Sequence, residues 1–274
     1  MELGEGLVVD VVDTGRPSGT PPDGPAALLI HGIGMTSASL EPLAAALAPT
    51  HRAVCVTLPG HGSTPRPPRG LAIEDYAAVA GAVADRLGLR AVIAVGHSMG
   101  TQIGVELARS RPELVVGTVL IGPVVDDRHP TAVGQATALA VDSTRERPLT
   151  NLIVLRDYLR CGIRWYATAL GPMLDYPMRE RAADVAVPSV VVRGSGDPIA
   201  GADWIERLAK AMPNGRAATL TGVHHVQLAV PDDVAALVRS LADDRSPAIR
   251  QGPARPAGNH QHGNTTTLDR RSNA

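Results

Sequence analysis

Residues 91–110 read Ala-Val-Ile-Ala-Val-Gly-His-Ser-Met-Gly-Thr-Gln-Ile-Gly-Val-Glu-Leu-Ala-Arg-Ser. The first five are apolar and largely β-branched, which suits a strand buried on both faces, Ala91–Val95. From Met99 to Ser110 the apolar residues recur at three and four, the spacing of a helix with one buried stripe. Gly96-His97-Ser98-Met99-Gly100 therefore sits between a strand and a helix. A turn that tight strains the backbone of its central residue, and the residues two before and two after it must be small or they collide. Ser98 is thereby presented above the sheet, where its hydroxyl is a candidate nucleophile. His97 is expected to be a packing residue, because side chains adjacent to such a serine point away from it.

The same alternation extends in both directions. Strands are predicted at Leu7–Val12, Ala27–Ile30, Arg52–Thr57, Val115–Ile121, Ser189–Arg193 and Arg216–Leu220. Helical spacing recurs at Leu40–Leu47, Ile73–Leu87, Ala202–Met212 and Asp232–Leu241. Strands alternating with amphipathic helices define an α/β fold around a mostly parallel sheet. The rhythm breaks between Pro123 and Pro188, where helix-like pieces occur without a convincing strand. Residues 1–244 are thus expected to form one domain, with a helical cap at about 124–187. Beyond Asp244 apolar residues almost vanish, and residues 245–274 are expected to be a disordered tail. His260 and His262 in that tail are expected to be solvated rather than metal-binding.

Composition excludes several classes of function. The 274 residues are 44% hydrophobic and 19% charged, the balance of an ordinary soluble globular protein. Lys and Arg number 26 against 27 Asp and Glu, so no overall positive field exists to hold nucleic acid or an anionic membrane. The expected partner is a small molecule, with neither nucleic acid nor membrane as a partner. The apolar runs fall far short of a spanning helix, and the acidic N-terminus lacks the features of a secretory signal, so a cytoplasmic location is expected. Cys55 and Cys161 stand far apart with no ligand spacing, which argues against disulfides and zinc. With no Phe and only two Trp and four Tyr, stacking platforms for bases are implausible.

A serine nucleophile needs a base, and the base needs an acid to orient it. The strand Ser189–Arg193 runs into Gly194-Ser195-Gly196-Asp197-Pro198, which places Asp197 beyond a carboxyl strand end, where open α/β sheets keep their sites. Asp197 also fits a plain turn-ordering or helix-capping role. Asp126 and Asp127, after the strand Val115–Ile121, are the alternative acids. The last strand runs into Thr221-Gly222-Val223-His224-His225, and spacing alone does not choose between the two histidines. For a developing oxyanion, the glycine-rich loop His31-Gly32-Ile33-Gly34 offers the Ile33 N–H, and the helix after Ser98 offers the Met99 N–H. His31 is expected to be a hydrogen-bonding post for its loop.

Taken together, His-Gly-Ile-Gly at 31–34, Leu-Pro-Gly-His-Gly-Ser at 58–63, Gly-His-Ser-Met-Gly at 96–100, Gly-Ser-Gly-Asp-Pro-Ile at 194–199 and the His224 segment resemble the α/β-hydrolases in order and spacing. The resemblance spans about Val8 to Leu241. It implies a mostly parallel twisted sheet with helices on both faces and a helical cap inserted after the sixth strand. It further implies Ser98 as nucleophile, Asp197 as acid, and Ile33 and Met99 as oxyanion donors, with no cofactor and no metal. Members commonly place Pro seven residues after the catalytic His, and Pro231 is seven after His224. That favours His224 as the base. Val223 stands where members usually have Gly or Pro, which keeps His225 as the alternative base.

The cap is where specificity is expected. Trp165 and Tyr166 are candidates for lining the pocket or for packing the cap, and Arg160 and Arg164 for pairing with a substrate carboxylate or for surface solvation. The expected activity is hydrolysis of a small or medium carboxylic ester or lactone through an acyl-enzyme on Ser98. Hydrolysis of a carbon–carbon bond in a β-diketone-type substrate, acyl transfer, and non-catalytic small-molecule reception are the alternatives on the same fold.

Overall fold

The computed structural model describes residues 1–4, 6–21, 24–126 and 148–243. Seven strands form one sheet: β1 (Asp10–Asp13), β2 (Ala26–Ile30), β3 (Ala53–Thr57), β4 (Val92–His97), β5 (Val115–Ile121), β6 (Ser189–Gly194) and β7 (Gly215–Leu220). Their spatial order is β1-β3-β2-β4-β5-β6-β7, parallel throughout except for the antiparallel edge pair β1 and β3. Order of this kind, with crossovers in both directions from a central strand, puts every carboxyl end from β2 to β7 at one edge.

The middle of the sheet is buried on both faces because strands such as β2 and β3 carry apolar residues at successive rather than alternate positions. Leu28, Ile30, Val54, Val56 and Ala94 point into one core, together with residues of α2 (Ile73–Arg86), α3 (Met99–Ser110) and α7 (Ala202–Ala211). Ala27, Leu29, Ala53, Cys55, Ile93 and Val95 point into the other, under α1 (Glu41–Leu47) and α9 (Pro231–Asp243). The period-2 alternation of side chains thus sorts one apolar run into two cores.

Between β5 and β6 the described part of the cap consists of α4 (Pro148–Cys161), α5 (Ile163–Asp175) and α6 (Met178–Ala182). Gly162, at φ 75°, takes a conformation that side-chain-bearing residues rarely adopt, and it separates α4 from α5. The insertion follows the fifth strand of this sheet, one earlier than the resemblance implied. The first residues make only an isolated bridge between Glu2 and Val8, so one strand fewer precedes it. β1, expected from Leu7, begins at Asp10, where its pairing with Thr57 of β3 starts. A short helix α8 (Val226–Ala229) follows β7. The predicted tail and residues 127–147 of the cap lie outside the described residues. Among the described residues no helix is long and apolar enough to cross a membrane.

Candidate active site

Ser98 sits between β4 and α3 with φ 56° and ψ −121°, an unfavourable region for a non-glycine residue. Its neighbours hold it there. The Ser98 N–H donates to the Ile121 carbonyl at 2.9 Å, and its own carbonyl accepts from the Thr101 N–H at 2.9 Å and the Thr101 hydroxyl at 2.7 Å. Glycine is required on either side. A Cβ on Gly96 would lie 2.1 Å from the Gly100 carbonyl oxygen, and one on Gly100 would lie 2.3 Å from the Ile30 carbonyl oxygen. The loop after β2 presses on the same serine, since a Cβ on Gly32 would come within 2.9 Å of Ser98 Cβ. Ile33 lines the cavity beside Ser98, and Met99 opens α3, whose first-turn N–H groups have no partner within the helix.

Asp197 and His224 come from the loops after β6 and β7. Those loops touch because Gly194 has no side chain: a Cβ there would fall 2.0 Å from the Val223 carbonyl oxygen. Val223 is accommodated through its backbone, without the Gly or Pro that the resemblance implied. His224 Nδ1 donates to Asp197 Oδ2 at 3.0 Å, and both side chains are almost fully buried. Asp197 Oδ1 accepts from the Ile199 and Ala200 N–H groups at 2.8 and 3.0 Å. Burial pushes the Asp197 carboxyl up, but His224 and those two amides outweigh it and hold it below the usual carboxylate value. With its Nδ1 proton committed to Asp197, a neutral His224 presents Nε2 as its lone-pair atom.

Gly122 was missed by the sequence reading. It directly follows β5 at φ 57°, and a Cβ there would lie 2.8 Å from His224 Cε1 and 2.9 Å from Nδ1. Its signal was available as a glycine directly after a strand at the carboxyl edge. Gly122→Ala should displace the imidazole and lower turnover about 100-fold, the size of effect produced by misplacing a reacting group by about 1 Å. A melting curve shifted by only a few degrees beside that loss would separate a local push from unfolding.

The other candidates fall into place around this pair. His225 is buried, and its ring packs edge-on against His224 at 5.3 Å and tilted against His97 at 4.9 Å, whereas the Asp197 carboxylate meets His224. Asp126, the alternative acid, is instead ion-paired with Arg207 of α7. Asp127 lies outside the described residues. His97 is buried as expected, yet it borders the cavity and touches His224: its Nε2–H donates to the His224 carbonyl at 3.3 Å, and the two rings lie tilted with centroids 4.8 Å apart. Burial first, then His224 and His225, push His97 far below its ordinary value, so it stays neutral. His31 accepts the Leu58 N–H on Nε2 at 3.0 Å and donates from Nδ1 to the Gly32 carbonyl at 2.8 Å, the role of a loop post. No group of three His, Cys, Asp or Glu among the described residues has the arrangement of a metal site.

Ser98, His97, His224 and His225 share one cavity with Ile33, Met35, Val124, Leu170, Met173 and Ile199, and the cap closes it with Tyr158 and Tyr166. The two phenol rings meet edge to face at 5.5 Å over Gly34, where a Cβ would come 2.7 Å from Tyr158. Tyr166 therefore lines the cavity. Trp165 does not; it packs the cap onto Gly60, where a Cβ would lie 2.2 Å from its indole. Arg160 and Arg164 are exposed and away from the cavity. Tyr158 escaped the sequence reading because no motif surrounds it.

A doubly covered parallel sheet with a serine, a histidine and a carboxylate gathered at its carboxyl edge defines a class of α/β protein built for work at that edge. The chain belongs to the alpha/beta hydrolase family, which it matches over residues 27–237. It is 26% identical over 263 residues to the magnesium-chelatase 30 kDa subunit of Rhodobacter capsulatus, covering 83% of this chain and 88% of that protein. It is 28% identical over 253 residues to the pimeloyl-[acyl-carrier protein] methyl ester esterase of Aromatoleum aromaticum, covering 79% and 98%. Among solved structures, the enol-lactonase of Burkholderia xenovorans LB400 shares the fold with a TM-score of 0.73 at 21% identity, over 87% of this chain and 97% of that one. The family and the esterase relative support a hydrolase.

Proposed function

We propose that this protein is a serine hydrolase that cleaves a small or medium carboxylic ester or lactone through an acyl-enzyme on Ser98. The observation that carries the reading is the strained backbone of Ser98 beside a cavity that it shares with a histidine already bonded to a buried carboxylate. Ser98 Oγ attacks the carbonyl carbon while its proton passes to His224 Nε2. The tetrahedral oxyanion accepts from the Ile33 and Met99 N–H groups, and the dipole of α3 favours negative charge at that point. Collapse expels the alkoxide, which takes the proton from His224. Water then repeats the sequence against the acyl-enzyme, giving up a proton to His224 and releasing the acid with Ser98 restored. Asp197 stays ionised throughout and stabilises the imidazolium.

The apolar wall of Ile33, Met35, Val124, Leu170, Met173 and Ile199 suits an apolar acyl or alcohol group, with the Tyr158 and Tyr166 phenols as the polar exception. The esterase relative and the lactonase fold support the choice of an ester or lactone. The test is labelling with a fluorophosphonate, which phosphonylates an activated serine. Peptide mapping should place the adduct on Ser98 and find none in Ser98→Ala. A folded protein that stays unlabelled, or labels elsewhere, would overturn the proposal.

A further inference from the structure

Helix α4 of the cap carries two rows of side chains on opposite sides. Thr150, Val154, Asp157 and Cys161, spaced by four, three and four residues, form its buried row. Leu152, Leu155 and Leu159 form the opposite row and are 62%, 57% and 74% exposed, while Ile163, just past the Gly162 break, is 84% exposed. Among the described residues the only other exposed large apolar side chains are Met1 and Val12, at 37% and 41%. Apolar exposure is thus concentrated on one face of the cap. Scattered exposed leucines need no explanation, but a row of them opposite a buried row does, because one buried stripe suffices for a surface helix.

Cations flank this row. Arg156, Arg160 and Arg164 follow each other at intervals of four and are exposed, and Arg160 and Arg164 make no ion pair among the described residues. Arg66, also exposed, reaches the same place from the loop after β3 and donates to the Cys161 carbonyl at 2.9 Å. Between residues 150 and 170 the only acid is Asp157, which is buried and bound to Thr36 and Arg156. A leucine row bordered by arginines, with Arg160 and Arg164 free of any carboxylate among the described residues, is the chemistry of a helix lying in a lipid interface, with apolar side chains among the acyl chains and guanidinium groups on the phosphates.

We propose that the outer face of α4 and the start of α5 is a docking surface for an anionic lipid bilayer. Net charge near zero led to the opposite expectation because it averages over the molecule, whereas the arginines here are gathered on one face. Tyr158, on α4 between Leu155 and Leu159, borders the cavity, so docking would seat the cap of the candidate active site against the membrane.

The experiment is flotation of the full chain with vesicles of phosphatidylcholine, with and without phosphatidylglycerol. Binding is expected with phosphatidylglycerol and should weaken as salt rises. Leu155→Ser with Leu159→Ser should lower the partition about tenfold or more. Arg160→Gln with Arg164→Gln should lower it by about fivefold per charge and flatten its salt dependence. All four side chains point into solvent, and unchanged thermal unfolding would establish that the variants are folded. Ser98→Ala should float as the unaltered chain does, so this result is independent of whether the protein hydrolyses esters. Failure to float with phosphatidylglycerol, or equal flotation of the leucine variant, would overturn the proposal. So would a dimer that the leucine substitutions turn into a monomer without vesicle binding, because the face would then belong to a second copy of the chain.

Discussion

His224→Ala should lower kcat/KM for ester cleavage about 10⁶-fold and Ser98→Ala by about the same amount, with the double variant little worse than either. The equality follows from the mechanism. An alcohol without its base is as inert as no alcohol, so the two losses overlap rather than add. Asp197→Asn should cost about 10⁴-fold, because an amide can hold the ring yet invites the wrong tautomer and does not stabilise the imidazolium. His225→Ala is the control that separates neighbours. Its ring packs on His224, and it is His224 that bonds the Asp197 carboxylate, so a modest loss is expected. A loss at His225 as large as that expected at His224 would transfer the base to His225. Initial rates on a soluble aryl ester and on a lactone, measured with melting temperatures for each variant, decide the matter.

Acidification should unfold the protein, beginning well above the range in which its carboxylates protonate. Burial pushes His31 down to about 4 and His61 down to about 3, from an ordinary value of 6.5, and it holds His97 well below that value too. The sign follows from these directions. Below 6.5 the unfolded chain takes up protons at these imidazoles while the folded chain does not, so stability falls as pH drops through that value. Each such histidine costs about 1.4 kcal/mol per pH unit, so His31 and His61 together remove about 7 kcal/mol by pH 4. That is comparable to the whole stability of a typical domain. Asp197, held below its ordinary 3.8, adds stability at higher pH that is lost only as pH falls through its folded value, below this window. Urea unfolding midpoints measured from pH 7 to pH 4 should decline throughout. A flat profile down to pH 4 would show that these rings are not held neutral.

What the sequence discloses divides along physical lines. Strands buried on both faces and helices with one apolar stripe follow from local periodicity, which is why Val115–Ile121 and Met99–Ser110 agree with the structure to the residue. The glycines at 96 and 100 are legible for the same reason, since a steric requirement confined to five residues leaves its mark within them. The choice of acid was not settled by spacing, because Asp126 and Asp197 both follow strands at the same edge, and only the structure pairs one with Arg207 and the other with His224. Tyr158 and Gly122 depend on contacts between segments far apart along the chain, and neither belongs to a repeating pattern. The exposed leucines of α4 were readable as helical, but not as outward-facing, until the buried row opposite them was known.

The way the cap is fastened bears on how a substrate enters. Helix α3, which starts beside Ser98, grips the end of α5 and the residue after it: Gln102 donates to the Met173 carbonyl at 2.9 Å, and Glu106 accepts from the Tyr176 phenol at 3.0 Å. Helix α4 is held from other loops: the Thr36 hydroxyl donates to Asp157 at 2.7 Å, and Arg66 donates to the Cys161 carbonyl at 2.9 Å. Lifting α5 would sacrifice two buried hydrogen bonds to the helix that begins beside Ser98, whereas swinging α4 about Gly162 would break bonds to the loops after β2 and β3 and leave that helix alone. The side of the cap that could open without disturbing Ser98 is therefore the one that carries Tyr158.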